Sequence, residues 1–171
     1  DAGTSEGMFF EMINAAGVLQ VPLCISVWDD GYGISVPTEY HTVKGSISRA
    51  LAGLQREGNQ YPDLGIEIFE VKGWDYEKLI NAYQEASRLS REHHIPTLLH
   101  IQELTQPQGH STSGSHERYK SKERLEWEKE WDCNQQFKKW ILKEGFASEE
   151  DLNKNEKEAE AGNWHQFFAR Q

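Results

Sequence analysis

The sequence is short of cysteine, of positive charge and of long apolar runs, and each shortage excludes something. Its only two cysteines, Cys24 and Cys133, lie far apart and match no zinc or redox spacing. A disulfide scaffold is thereby excluded, and a reduced, cytoplasmic setting is the expectation. A formal net charge of −10 argues against nucleic acid or an anionic membrane as partner. No apolar stretch approaches the roughly 20 residues that cross a bilayer, so no membrane span is expected. The start shows no basic region of the kind that opens a signal peptide. Internal repeats and low-complexity tracts are absent as well.

What is present fits a globular α/β domain. The 171 residues suffice for one domain with a core, and six tryptophans argue against disorder. Residues 6–19 are apolar nearly all round (Met8, Phe9, Phe10, Met12, Ile13, Val18), which predicts a buried helix capped by Thr4 or Ser5. Leu23 to Trp28 is a continuous apolar run with β-branched members, the pattern of a strand buried on both faces. Residues 31–45, with Gly, Pro and Ser, read as a loop, and residues 46–55 as a short helix. Residues 66–71 form the next predicted strand. Asp75 then caps an amphipathic helix with Leu79, Ile80, Tyr83 and Ala86 at helical spacing. Residues 97–104 form another strand. Strands alternating with helices imply a parallel sheet flanked by helices. From 105 to 121 no periodicity is visible, and a loop this long is functional or disordered. Beyond Lys122 the chain is charged and helical, with Trp127, Trp131, Phe137 and Trp140 as anchors, and Ser148 with Asp151 resembles a capping box. The expected division is an α/β part over 1–121 and a helical C-terminal extension over 122–171.

The chemistry concentrates in residues 1–35. Acidic groups at Asp1 and at Asp29 and Asp30 flank one helix and one strand. Open α/β sheets hold ligands at the carboxyl ends of their strands, and small residues leading into a helix free backbone N–H groups for a phosphate. Carboxylates there can hold a divalent cation against the same phosphate. Taken alone, Asp-Asp-Gly-Tyr-Gly is also an ordinary turn, and His110 an ordinary solvated loop histidine. His93 and His94, at a helix end, are expected at the surface.

Residues 1–35 resemble the cofactor motif of thiamine-diphosphate enzymes. They are most similar to the alpha part of the decarboxylating component of 2-oxo-acid dehydrogenase complexes. Asp1, Ser5-Glu6-Gly7, Asn14, Val21-Pro22 and Asp29-Asp30-Gly31-Tyr32-Gly33-Ile34-Ser35 follow the family order. Gly109-His110-Ser111-Thr112-Ser113 and Arg118-Tyr119-Lys120-Ser121 resemble its Gly-His-Ser loop and Tyr-Arg-Ser segment. Because the motif opens the chain, this is expected to be a piece of a longer protein.

The resemblance implies an incomplete thiamine-diphosphate-binding fold. It implies magnesium held by Asp1, Asp30 and the Tyr32 carbonyl, and cofactor contacts from Ala2, Gly3, Gly33, Ile34 and His110. His110 would act in acyl transfer to lipoamide, and Ser111 is a possible phosphosite that is more safely read as structural. Arg118 and Tyr119 would help to order the loop. Three departures stand out. Ala2 replaces a glycine, Asp29-Asp30 replaces Asn-Asn, and Trp28 stands where some relatives carry a diphosphate-binding arginine. The implied partners are a beta part, separate or fused, in an alpha-beta oligomer, and a lipoyl acyltransferase. Without the beta part's glutamate the isolated chain is expected to be inactive. A branched-chain 2-oxo acid is the favoured substrate, with pyruvate, 2-oxoglutarate or acetoin members as alternatives. A cofactor-free assembly or binding relative is the alternative of a different class.

Overall fold

The computed structural model describes residues 2–58, 63–106 and 116–162. It falls into two compact units, residues 1–133 and residues 134–171.

The first unit is built on a parallel sheet of three strands, β1 (Cys24–Trp28), β4 (Glu67–Lys72) and β5 (Thr97–Gln102), in the order β1-β5-β4. Cys24 and Glu67 both stand opposite Thr97, so all three strands run in register to one carboxyl edge. The expected α/β class holds: a parallel sheet packed with helices, followed by C-terminal helices.

The central strand shows why. Every residue from Thr97 to Ile101 is buried, and alternate side chains serve two cores, as the period of two in a strand requires. Leu98 joins Ile13, Val27, Ile47, Leu51 and Ile66 on one face. Leu99 and Ile101 join Ala86 on the other, with Phe69, Leu79 and Tyr83 packed around them. Ile13 comes from helix α1 (Gly7–Leu19) and Ile47 from the single turn α2 (Ile47–Ala50), whereas Ala86 comes from α3 (Tyr76–His93). As expected, the Asp75 carboxylate caps α3 by accepting from the Lys78 N–H at 3.2 Å, and His93 and His94 are exposed.

Two expectations are corrected. The helix after Glu6 is not buried: Met8 is 79% and Leu19 70% exposed, and only Ile13, Ala16 and Gly17 lie inside. One layer of this chain covers one face of α1 and no more. Nor does Thr4 or Ser5 cap it. The N-cap is Glu6, with no side-chain cap, because the Ser5 hydroxyl donates instead to the His41 carbonyl at 2.8 Å. Likewise β1 is not buried on both faces; of its residues only Val27 is buried, since β1 is an edge strand of this sheet. The stretch expected as a plain loop contains a hairpin, β2 (Tyr32–Gly33) with β3 (Val36–Pro37), followed by 3-10 turns at Thr38–Tyr40 and Val43–Gly45.

Helix α4 (Lys122–Glu130) belongs to the first unit, and α5 (Cys133–Lys143) begins at its end. In the second unit α5 and α6 (Glu149–Glu160) are joined by a Lys138–Glu156 ion pair at 3.0 Å. Trp140 packs between Phe137 and Phe146. The capping box of Ser148 and Asp151 forms as expected. The apolar end expected at 164–168 lies outside the described residues.

Candidate functional site

The carboxyl edge of the sheet is where the chemistry-bearing residues gather. β1 ends at Trp28 and delivers Asp29 and Asp30 directly to it. The Asp29 N–H donates to the Ile101 carbonyl at 2.8 Å, and the Asp29 carbonyl accepts from Leu104 at 3.1 Å. The acidic turn is therefore an extension of the sheet pairing and not a free loop. Gly31 follows with φ +83°, a conformation that suits a residue without Cβ, and the Gly31 carbonyl accepts from the Thr38 N–H at 3.0 Å.

The two adjacent acids have different surroundings. Asp29 is 8% exposed. One carboxylate oxygen accepts from the Gly31 N–H at 2.8 Å, the other meets His100 Nε2 at 2.8 Å. His100 Nδ1 accepts from the Ser48 backbone N–H at 3.4 Å and lies 2.9 Å from the Ser48 hydroxyl. An Nδ1 that accepts from a backbone N–H carries no proton, so Nε2 carries it and donates to Asp29. Burial disfavours the charge on Asp29, but the hydrogen bonds from His100 and Gly31 outweigh it and hold the carboxyl below the usual carboxylate range. Asp30, half-buried, accepts from the Tyr32 N–H at 3.2 Å and lines an open cleft.

That cleft, of about 480 Å³, is lined by Ala2, Gly3, Trp28, Asp30, Tyr32, Gly33, Ile34, Leu104, Thr105 and Gln106. The chain's opening residues and the turn thirty positions later thus meet. Their approach is close: a Cβ on Gly33 would stand 3.0 Å from the Ala2 Cβ and 3.3 Å from His41 Nε2. Ala2 lies in a 3-10 turn, Ala2–Ser5, whose backbone has negative φ and so accepts a methyl group. Ile34 opens the two-residue turn of the β2–β3 hairpin with φ +61°, an unusual conformation for a β-branched residue. Trp28 is 68% exposed, its Nε1 donating to the Ser26 hydroxyl at 2.7 Å.

Along residues 1–167 the sequence matches the family model for the dehydrogenase E1 component. This chain belongs to that family. The E1 component chain is 27% identical over 158 residues to the pyruvate dehydrogenase E1 component subunit alpha of Rickettsia bellii, covering 91% of this chain and 44% of that protein. It is 32% identical over 151 residues to the mitochondrial 2-oxoisovalerate dehydrogenase subunit alpha 2 of Arabidopsis thaliana, covering 87% and 29%. A third relative, the pyruvate dehydrogenase E1 component subunit alpha of Acholeplasma laidlawii, is 32% identical over 161 residues, covering 92% and 43%. The chain thus spans less than half the length of these relatives. The E1 family depends on thiamine diphosphate.

The site residues inferred from sequence divide into two groups. Ala2, Gly3, Asp30, Tyr32, Gly33 and Ile34 line one cleft. Asp1, His110 and Ser111 lie outside the described residues. Among the described residues no three His, Cys, Asp or Glu side chains converge. An all-protein metal cage is not needed for magnesium, which binds through one or two carboxylates plus phosphate oxygens and water. Oxygen donors from Asp30 and the Tyr32 backbone fit that ion.

Sequence reasoning missed the groups behind the turn. The Arg124 guanidinium donates to the Asp30 carbonyl at 2.9 Å and, through Nε, to Glu128 at 2.8 Å. Glu128 also accepts from Lys120 at 2.8 Å, and the Lys120 side chain is fully buried. Lys120 and Arg124 both lie against the Tyr32 ring, 5.1 and 5.6 Å from its centre, and Tyr119 packs beside it at 5.7 Å. Burial pushes the Tyr32 hydroxyl up, with Arg124 opposing. The signals in the sequence were the resemblance of residues 118–121 to the family's Tyr-Arg-Ser segment and the four-residue spacing of Arg124 and Glu128 on one helix.

Proposed function

We propose that the intact protein uses thiamine diphosphate and magnesium to decarboxylate a 2-oxo acid oxidatively. The acyl group then passes to the lipoyl group of an acyltransferase partner. Membership of the E1 family supports this reading, and one observation carries it: the opening turn and the Asp30–Ile34 turn share a single cleft at the carboxyl edge of a parallel sheet. Asp30, the Tyr32 carbonyl and Asp1 would hold the cation, and Ala2, Gly3, Gly33 and Ile34 would border the cofactor. The thiazolium of the bound cofactor supplies the electron sink for loss of carbon dioxide. His110 is assigned to acyl transfer, as proton donor or charge stabiliser, and Ser111 to a structural role. Partnership with a beta part, fused or separate, in an alpha-beta oligomer completes the proposal, and the chain alone is inactive.

A branched-chain 2-oxo acid is the proposed substrate, on the resemblance of residues 109–113 to branched-chain members. The relatives' names include both pyruvate and 2-oxoisovalerate. The two unpaired cysteines support a reducing compartment such as the cytoplasm. A second reading, a cofactor-free relative, is favoured by the absence of any Lys or Arg among the described residues lining the cleft. The deciding assay gives the full-length protein with its acyltransferase 2-oxoisovalerate, pyruvate or 2-oxoglutarate, with and without magnesium and thiamine diphosphate. Cofactor-dependent turnover fastest on 2-oxoisovalerate is expected. No turnover and no cofactor binding at saturation would establish the second reading. In His110→Ala, reductive acylation is expected to fall further than decarboxylation with an artificial oxidant; equal losses would remove the assigned role.

A further inference from the structure

Among the described residues the cleft is lined by one aspartate and no Lys or Arg, a poor seat for a diphosphate, and a second acid sits beside it. The structure holds an answer behind the backbone. Asp30 also lines a second, polar cavity of about 290 Å³, with Asp29, Lys72, His100, Glu103 and Arg124 among others. Its charges nearly all cancel in pairs. Lys72 is bonded to Glu103, and just outside the cavity Glu128 is shared by Lys120 and Arg124. The Asp29 carboxylate is hydrogen-bonded to His100 Nε2 and to the Gly31 N–H, both at 2.8 Å. What remains is Arg124 against Asp29 and Asp30.

The guanidinium is held where it acts on the turn. It lies 3.7 to 3.8 Å from the position a Cβ on Gly31 would take. It is aimed by Glu128 and by the ring of Trp127, 4.9 Å from its centre. It touches the turn at the Asp30 carbonyl and not at a carboxylate. The Asp30 carboxylate, which accepts from the Tyr32 N–H, is left without a cationic partner from Arg124, and Asp30 lines the cleft.

We propose that Arg124 is a positioning residue and the counter-charge of the acidic turn, set behind the Asp30 backbone so that a cleft with no Lys or Arg among its described residues accepts a metal-bound diphosphate. The inference rests on the metal–diphosphate reading above. It has a consequence that a purely structural role lacks. Removing the positive charge makes the turn more attractive to a bare cation and less attractive to an anion, so the two affinities move in opposite directions.

The test uses the full-length protein with two probes: Mn²⁺ alone, followed by its paramagnetic signal, and thiamine diphosphate with Mg²⁺, followed by tryptophan fluorescence. Arg124→Gln is expected to bind Mn²⁺ more tightly and thiamine diphosphate more weakly, each by about threefold to tenfold at low salt, the size of one partly screened charge. Arg124→Lys is expected to stay near wild type, and both Gln effects to shrink at about 1 M salt. Asp29→Asn, which removes a negative charge from the same turn, gives the mirror result if Arg124→Gln fails to fold: weaker Mn²⁺ and tighter thiamine diphosphate. Parallel losses for both probes in either variant overturn the proposal and leave the functional reading standing. A wild-type protein that binds neither probe overturns both.

Discussion

The front and the back of the acidic turn are built from different materials. In front, among the described residues, the cleft is lined by the uncharged Ala2, Gly3, Trp28, Tyr32, Gly33, Ile34, Leu104, Thr105 and Gln106 around the one carboxylate of Asp30. Behind lie Arg124, bonded to the Asp30 carbonyl, His100, bonded to the Asp29 carboxylate, and Lys120 and Glu128, bonded to each other, charged or polar groups nearly all paired. The contrast teaches that this site keeps its electrostatics out of the ligand's contact surface. Paired charges fix the turn, and the surface proposed to meet a cofactor carries no charge other than Asp30 among the described residues. The two neighbouring acids divide along the same line, Asp29 anchoring and Asp30 presenting.

The largest expected effect breaks the rear side. Lys120→Met leaves Glu128 buried with Arg124 as its remaining partner, and losing one member of a buried pair costs about 3–5 kcal/mol. Urea unfolding of Lys120→Met measures the loss, and the double variant Lys120→Met, Glu128→Leu is expected to recover most of it. A loss below about 1 kcal/mol would mean that the pair is solvated in solution.

Next comes the Asp29–His100 pair. His100→Leu strands a buried carboxylate and is expected to cost about 2–4 kcal/mol, with Asp29→Asn in the same background restoring part. The pH dependence sharpens this. Asp29 has a folded pKa held below its unfolded value of about 3.9. Its contribution is therefore complete above that unfolded value and is lost as pH falls through the lower folded one. Acid unfolding curves are expected to flatten in Asp29→Asn below about pH 4. An unchanged acid limb would show that Asp29 is not a linked group.

The smallest effects lie away from the turn and serve as controls. Asp75→Ala removes the cap of α3 and is expected to cost about 1 kcal/mol. Cofactor affinity should not move. A large change in affinity there would blur the contrast between the turn and the rest of the fold.

Much of the fold was legible because its signals are local. Asp75 and the spacing of Leu79, Tyr83 and Ala86 place α3 without any knowledge of its neighbours, and the run from Thr97 reads as a strand, which proves buried and central. Burial itself was less legible. The apolar runs in α1 and β1 looked fully enclosed, yet Met8, Leu19 and Trp28 are exposed, since periodicity reports which faces are apolar and not how many layers cover them. In the site, the acidic turn and its meeting with Ala2 followed from motif order. The partners of that turn did not. His100 lies 71 residues from Asp29 and Arg124 lies 94 from Asp30. Nothing about a histidine in an apolar strand, or an arginine in a charged helix, names such distant partners.

The central claim is that neighbouring aspartates have opposite duties. It is tested most directly by titrating thiamine diphosphate with magnesium into full-length Asp30→Ala and Asp29→Asn side by side. Asp30→Ala is expected to lose magnesium-dependent binding while Asp29→Asn keeps it. Binding retained in Asp30→Ala and abolished in a folded Asp29→Asn would contradict it.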